Sequence, residues 1–179
     1  MAKTAFAIRN TPYARRKENH MIQHGRYTAQ HEGELVVFLI GMRVNNWLRF
    51  REWWPVAMAM GPMISYLLKH PESGFLGGWG PVLSGGFREI TMIQYWRSTA
   101  DLERFARQDP NLHPEAWKNF FKQSFKGGAV GIWHETYRVE AGAFESIYGN
   151  MPRFGLAKAT QAIGVKGNRE TMRGRLEAQ

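Results

Sequence analysis

His113 and His134 are the side chains best suited to general acid–base work, because an imidazole changes charge near neutral pH, and Glu135 directly follows the second of them. Successive side chains on a strand point to opposite faces, so if this segment is extended His134 and Glu135 cannot form a dyad, and only one can face a given pocket. Plainer roles exist for each. His134 can be a half-buried histidine bonded to a neighbouring strand or loop, His113 can start a helix ahead of Pro114, and Glu135 can pair with Arg43 or Arg97. Arg43, Asn45 and Tyr95 fall near expected strand ends, where polar groups can orient a ligand, and Trp117 and Tyr137 add aromatic surface for one.

Other chemistries are poorly served. The chain contains no cysteine, which removes disulfides, thiolate metal sites and thiol nucleophiles. His20 and His24 have the i, i+4 spacing that binds metal on a helix, but no third ligand follows at motif distance. The glycine-rich stretch Gly74–Gly86 lacks the Lys-Ser/Thr ending of a phosphate loop and reads as a mobile flap or hairpin. No Gly-x-Ser-x-Gly elbow occurs.

The net charge of +9 is confined to the two ends: residues 1–26 carry +5, residues 153–179 carry +4, and residues 27–152 sum to zero. Basic ends of this kind are usually solvated arms rather than a nucleic-acid face, so nucleic acid is not the expected partner. Met1 to Asn10 is too short, and too broken by Lys3 and Arg9, for a signal peptide, and no apolar run is long enough to span a membrane. The expected location is cytoplasmic.

The elements that must position these residues are legible from periodicity. Leu35 to Ile40 is an unbroken apolar run, which marks a strand buried on both faces. In a one-sheet domain this requires helices on one side and, on the other, a partner sheet. Asn45 can cap a helix carrying Trp47, Phe50, Trp54 and Met58, then Ile64 and Leu67, up to Lys69, with a kink or a split at Pro55 and Pro62 and a stop at His70-Pro71. Strands follow at Phe75–Val82 and at Glu89–Arg97, the latter with Met92, Gln94 and Trp96 on one face. Ser98-Thr99-Ala100-Asp101 opens a helix with Leu102, Phe105 and Ala106 on its apolar side. A further helical segment brings Trp117, Phe120 and Phe121 together, and Val130–Val139 is the last strand of the series, with Ile132, His134 and Thr136 on one face.

The order strand, helix, strand, strand, helix, strand predicts an α+β fold of the ferredoxin-like βαββαβ type. Three regions follow: a basic N-terminal arm (1–30), the ferredoxin-like domain (31–140), and a C-terminal extension (141–179). In that extension Tyr148–Pro152 reads as a loop, Leu156–Ile163 as a short helix, and the remainder as a basic tail. Trp47, Trp54, Trp96, Trp117 and Trp133 are expected in the core and at an interface.

Five segments carry a family resemblance: Val37–Arg43, Tyr95-Trp96-Arg97-Ser98, His113-Pro114-Glu115-Ala116-Trp117, Gly131–Tyr137 and Tyr148-Gly149-Asn150-Met151-Pro152. Over roughly Glu32 to Ala159 the chain resembles the dimeric α+β barrel superfamily, and within it the antibiotic-biosynthesis monooxygenase-like group that includes the fumagillin-pathway type. The resemblance implies a homodimer with a small-molecule pocket between each sheet and its helices. It also implies one of two chemistries: oxygenation of a hydrophobic aromatic or polyene-like substrate without a cofactor, in secondary metabolism, or haem chemistry of the peroxidase, oxygenase or aldoxime-dehydratase kind. In the haem case His113 resembles the axial ligand, although relatives have continuous helix where this chain has Pro114. A third reading is a non-enzymatic small-molecule-binding or stress-related module.

Overall fold

The computed structural model describes residues 21–108 and 127–178. In chain order they form β1 (Gln23–Gln30), β2 (Leu35–Val44), α1 (Phe50–Lys69), β3 (Phe75–Ser84), β4 (Glu89–Trp96), α2 (Thr99–Gln108), β5 (Val130–Val139), β6 (Tyr148–Met151), α3 (Gly155–Ala159), β7 (Gln161–Gly164) and α4 (Met172–Glu177). They divide into two units, one spanning residues 34–139 and the other joining the described residues up to Gly33 with those from Glu140 onward. The helical segment expected around Trp117, with His113, lies outside the described residues.

In the larger unit, β2, α1, β3, β4, α2 and β5 make an antiparallel α+β domain with sheet order β3-β4-β2-β5, the ferredoxin-like arrangement expected from the sequence. The apolar strand β2 lies inside the sheet. It pairs with β4 from Val36↔Trp96 to Arg43↔Glu89, and with β5 from Leu35↔Val139 to Val44↔Val130. Side chains opposed across an antiparallel pair share a face, so even-numbered residues of β2, β4 and β5 lie on one side of the sheet and odd-numbered ones on the other. Two apolar clusters occupy the even side: Val36, Leu67, Phe75, Trp96 and Leu102, and Met42, Val44, Val56 and Val130. Each fully buried aliphatic side chain stabilises the fold by about 1.5–3 kcal/mol relative to exposure.

Helix α1 buries a different stripe from the one its aromatics suggest. Val56, Met63 and Leu67 are buried, with Trp53, Ala57 and Ile64 packed against the same clusters, whereas Phe50, Trp54 and Met58 are about half exposed, as is Trp47 just before the helix. The buried and packed positions recur every three or four residues and include the small, partly buried Ala57, so fit to the sheet overrides aromatic size. Trp96 lies in the core; Trp47, Trp54 and Trp133 do not. Asn45 is not the cap: its Nδ2 donates to Gly128 O at 3.0 Å, tying the end of β2 to the segment before β5, and the helix begins at Phe50. It then runs unbroken through Pro55 and Pro62. Both prolines are exposed, as are Arg51 and Met58, whose carbonyls lose their helical donors and are left to water.

The start of α2 follows the sequence closely. Ser98 Oγ accepts from Asp101 N at 3.1 Å, an N-cap bond, while Glu34 accepts from Thr99 Oγ1 at 2.8 Å and from Thr99 N at 3.3 Å. A carboxylate at a helix start also meets the positive end of the macrodipole. Asp101 is buried and pairs with Arg97 at 2.8 Å and with Arg104. Gly74, at φ +86°, lies so close that a Cβ there would come within 2.4 Å of the Asp101 carboxyl carbon.

The smaller unit departs from the expected arm, loop and tail. Residues 23–30 are a strand, β1, at the centre of a three-stranded antiparallel sheet of order β6-β1-β7. Tyr148–Met151, expected as loop, is β6. The expected helix through Ile163 ends instead at Ala159, because Ala162 and Ile163 pair with Ala29 and Thr28 in the ladder. The Tyr27 ring stacks on Tyr148 with centroids 5.0 Å apart, and its hydroxyl donates to Pro152 O at 2.6 Å. In the basic tail Arg175 is buried. It pairs with Glu145 and donates to the carbonyls of Arg169 at 3.0 Å and Glu170 at 3.1 Å. His24 lies on β1, so the helical spacing that would bring it beside His20 does not apply to it.

Candidate functional site

Between the even face of the sheet and the helices of the larger unit lies a cavity of about 580 Å³, inside the usual range for small-molecule sites. Phe38 and Ile40 of β2, Gln94 and Trp96 of β4, and Ile132, His134 and Thr136 of β5 supply the sheet side. Met63 of α1 and Thr99, Leu102, Glu103, Phe105 and Ala106 of α2 supply the helix side, and Gly41 and Trp133 complete the described lining. Cross-strand register brings these residues together: Phe38 is opposite both Gln94 and Thr136, and Ile40 is opposite His134.

The cavity is graded. Gln94 and Trp96 are 2% and 0% exposed, whereas His134 and Thr136 on the edge strand β5 are exposed. Its inner end is therefore the part most enclosed by protein, and its imidazole stands on the solvent-exposed side. The His134 ring lies against Phe38, with centroids 5.6 Å apart and planes tilted by 39°.

Gln94 is the polar exception at the inner end. Its Oε1 accepts from Trp96 Nε1 at 3.0 Å, while its Nε2 is buried with no partner among the described residues. The indole N–H can only donate, so it must meet the amide oxygen, which fixes the orientation of the Gln94 amide and leaves the NH₂ unpaired. A buried donor without an acceptor costs about 1–3 kcal/mol.

The odd face holds most of the other residues singled out in the sequence. Arg43 pairs there with Glu89, whose carboxyl also accepts from Ser84 Oγ at 2.8 Å. Those two bonds, Ser84 first and then Arg43, hold the Glu89 carboxyl below the ordinary glutamate range. Glu135 accepts from Tyr137 Oη at 2.7 Å rather than from Arg43 or Arg97, and that bond, with the nearby negative charge, raises the Tyr137 hydroxyl above the ordinary tyrosine value. Trp79 Nε1 donates to Tyr95 Oη at 3.4 Å. Arg43, Asn45, Tyr95, Glu135 and Tyr137 are thus absent from the cavity lining. The four strand residues project from the odd face, of which only Gly41 and Trp133 among the described strand residues border the cavity, and Asn45 is engaged in joining two segments.

His134 is the sequence-predicted site residue that the described structure places in the cavity; His113 and Trp117 lie outside the described residues. Sequence reasoning missed Gln94. Its signal was a glutamine flanked in the strand period by Met92 and Trp96, a polar side chain on a face otherwise meant for core.

With this geometry in place, comparison with known proteins identifies the lineage. The family model described as monooxygenase af470-like matches residues 35–156. The chain belongs to that family. A curated relative, monooxygenase af470 of Aspergillus fumigatus (strain ATCC MYA-4609 / CBS 101355 / FGSC A1100 / Af293), is 32% identical over 136 residues, covering 71% of this chain and 46% of the relative. The chain therefore spans about half the length of the curated relative it matches. Among solved structures, an aldoxime dehydratase is similar with a TM-score of 0.43 and 17% identity over 78% of this chain and 44% of that one. Protein SO0527 from Shewanella oneidensis is similar with a TM-score of 0.35 and 10% identity over 68% of this chain and 97% of that one. The matched family segment contains the whole sheet of the larger unit and with it the sheet side of the cavity.

Proposed function

We propose that the chain is a monooxygenase-like oxidoreductase that oxidises a hydrophobic aromatic or polyene-like small molecule of secondary metabolism in the cavity of its ferredoxin-like unit. The observation that carries this reading is His134 standing at the mouth of an otherwise largely apolar cavity, in a chain of a monooxygenase family. Oxygenation without a cofactor needs a base to ionise an electron-rich phenol or enol, and a dry region where the anion can pass an electron to dioxygen. His134 supports the first role, and the inner end near Trp96 supports the second. His113 remains the alternative base.

Haem fits the described lining poorly. The charged side chain there that is not histidine is Glu103, an acid, which opposes the carboxylates a haem carries, and no Lys or Arg lines the cavity among the described residues. Cofactor-free oxidation is therefore the reading favoured here. A second copy of the chain is proposed against the odd face of the sheet. Val37, Leu39 and Ile93 are only half-buried there, and Trp133 and Tyr137 are exposed. Among the described residues no helix is long and apolar enough to cross a membrane; the cytoplasmic location is part of the proposal, and a chain without cysteine is compatible with it.

The test is dioxygen consumption with anthrone, whose enol is an electron-rich phenol. One O₂ should convert its CH₂ to a carbonyl, with the other oxygen atom leaving as water, in protein purified without added cofactor. No protein-dependent uptake would overturn the reading. A Soret band in protein supplied with haem, abolished in His113→Ala or His134→Ala, would replace it with the haem alternative. A monomeric mass at micromolar concentration would remove the second copy.

A further inference from the structure

The unpaired amide of Gln94 asks for an acceptor that the described residues do not supply. It is 98% buried by its 2% exposure, its orientation is fixed by the donor-only indole of Trp96, and it borders the inner end of the cavity. Phe38 is directly opposite on β2 and shares one apolar cluster with Trp96, Leu102 and Phe105, which line the same cavity, while the other polar lining residues, Thr99, Glu103, His134 and Thr136, are all less buried than Gln94. A water could satisfy the NH₂ only at a site offering two to four polar partners, and these neighbours offer few. An aromatic ligand bearing one oxygen at its buried end would meet both demands, filling the apolar walls and accepting from the amide.

We propose that Gln94 is a ligand-positioning residue, whose side-chain NH₂ donates to a carbonyl, phenol or phenolate oxygen of an aromatic ligand bound in the cavity. The proposal rests on the reading of the cavity as a small-molecule site, and it adds polarity and direction to that reading. The oxygen-bearing end enters first, toward Gln94 at the buried end, and His134 at the exposed end then faces the ring carbon across from that oxygen, where the keto form of such a ligand, as in the CH₂ of anthrone, carries the proton a base removes. Anchoring an oxygen there selects oxygenated rings over hydrocarbons of the same shape, because an apolar group in its place leaves the amide donor buried and unmatched.

The experiment compares 1-naphthol with 1-methylnaphthalene, near-isosteric probes in which a methyl group replaces the hydroxyl. Native protein should bind 1-naphthol about tenfold more tightly, the factor that corresponds to one net hydrogen bond. Gln94→Met, which keeps the volume and removes the donor, should bring the two affinities within about twofold, chiefly by weakening 1-naphthol. Because this change also removes the acceptor for Trp96 Nε1 and can unfold the chain, a second measurement uses the native protein. The side-chain amide ¹H–¹⁵N signals of Gln94 should move downfield with 1-naphthol and not with 1-methylnaphthalene. A preference that survives Gln94→Met, equal amide shifts with both probes, or no binding of 1-naphthol overturns the proposal. Failure of the anthrone assay with the naphthol preference intact overturns the monooxygenase reading and leaves this one standing. Anthrone turnover with a preference indifferent to Gln94→Met does the reverse.

Discussion

The two faces of the four-stranded sheet both carry aromatic and polar side chains but are organised for different ends. On the even face, the polarity that borders the cavity is sparse and set into apolar walls, with Gln94 lacking a partner for its NH₂ and His134 and Thr136 at the exposed margin, while Arg138 at the end of β5 pairs with Glu34 at 3.6 Å. On the odd face the polar groups satisfy one another, Arg43 with Glu89, Ser84 with Glu89, Tyr137 with Glu135 and Trp79 with Tyr95. Mutual satisfaction favours a fixed surface, whereas an unmet donor beside a cavity is a demand that a ligand can fill. Residues adjacent in sequence, such as His134 and Glu135, thus belong to different chemical settings.

The largest expected effect tests that separation directly. His134→Ala should lower the rate of anthrone oxidation by at least about 100-fold, the lower end of what a positioned base contributes, while Glu135→Gln should change it by less than about twofold. Steady-state oxygen uptake with matched circular dichroism spectra checks both. The comparison between faces breaks if Glu135→Gln is as damaging as His134→Ala.

Next in size is a packing test at Gly41 and Trp133, odd-face residues that also border the cavity. Gly41 stands opposite Trp133, and a Cβ at position 41 would come within 2.6 Å of the indole Nε1. Gly41→Val must push the ring aside and should destabilise the protein by about 1–3 kcal/mol, read from the shift in a urea unfolding curve. Unchanged stability would show that Trp133 is free to move and that this face is not fixed by packing. A smaller loss, about 1 kcal/mol, is expected for Ser98→Ala, which removes the cap from the helix that walls the cavity. Because Thr99 and Leu102 line that wall, the same variant should also weaken 1-naphthol binding if a frayed helix start loosens the site.

How much of this arrangement was legible in the sequence depends on whether local rules or long-range packing decide it. The strand limits of β5, the stop of α1 at His70-Pro71 and the Ser98 cap follow from alternation, proline geometry and side-chain bonds between near neighbours, and the structure agrees with each. The parity argument also separated His134 from Glu135 correctly. It could not say which parity faces the helices. Arg43, Tyr95 and Tyr137 looked like ligand contacts because of their chemistry, yet all lie on the far side. Burial of Leu67, Val56 and Met63 in preference to Trp54 and Phe50 is a matter of shape against the sheet, which periodicity alone does not rank. The smaller unit was least legible, since β1 is largely polar and β7 has only four residues, and they become strands through pairing between segments more than 130 residues apart, as in Thr28 with Ile163.

The smallest effects concern pH and fall on the odd face and the helix start. Glu89 and Glu34 have carboxyls held below their ordinary value of 4.5, Glu89 by Ser84 and then Arg43, and Glu34 by the Thr99 hydroxyl and then its amide. A depressed folded-state pKa stabilises the fold above the unfolded value, and that contribution is lost as pH falls through the folded value. Both groups are solvent-exposed, so the change is modest, and Glu34→Gln with Glu89→Gln should flatten the acid limb of thermal stability below about pH 4.5. Tyr137 gives the opposite sign. Its hydroxyl is raised above 10.0 by the bond to Glu135, so its contribution is present below that pH and lost as pH climbs through the folded value. In a phenolate absorbance titration, the difference between native protein and Tyr137→Phe should show one tyrosine ionising above the ordinary range, moving down toward it in Glu135→Gln. A normal titration for Tyr137 in the native protein would mean that the Tyr137–Glu135 bond does not hold in solution. The odd face would then carry unmet polar groups of its own, and polar satisfaction could no longer distinguish it from the face that holds the cavity.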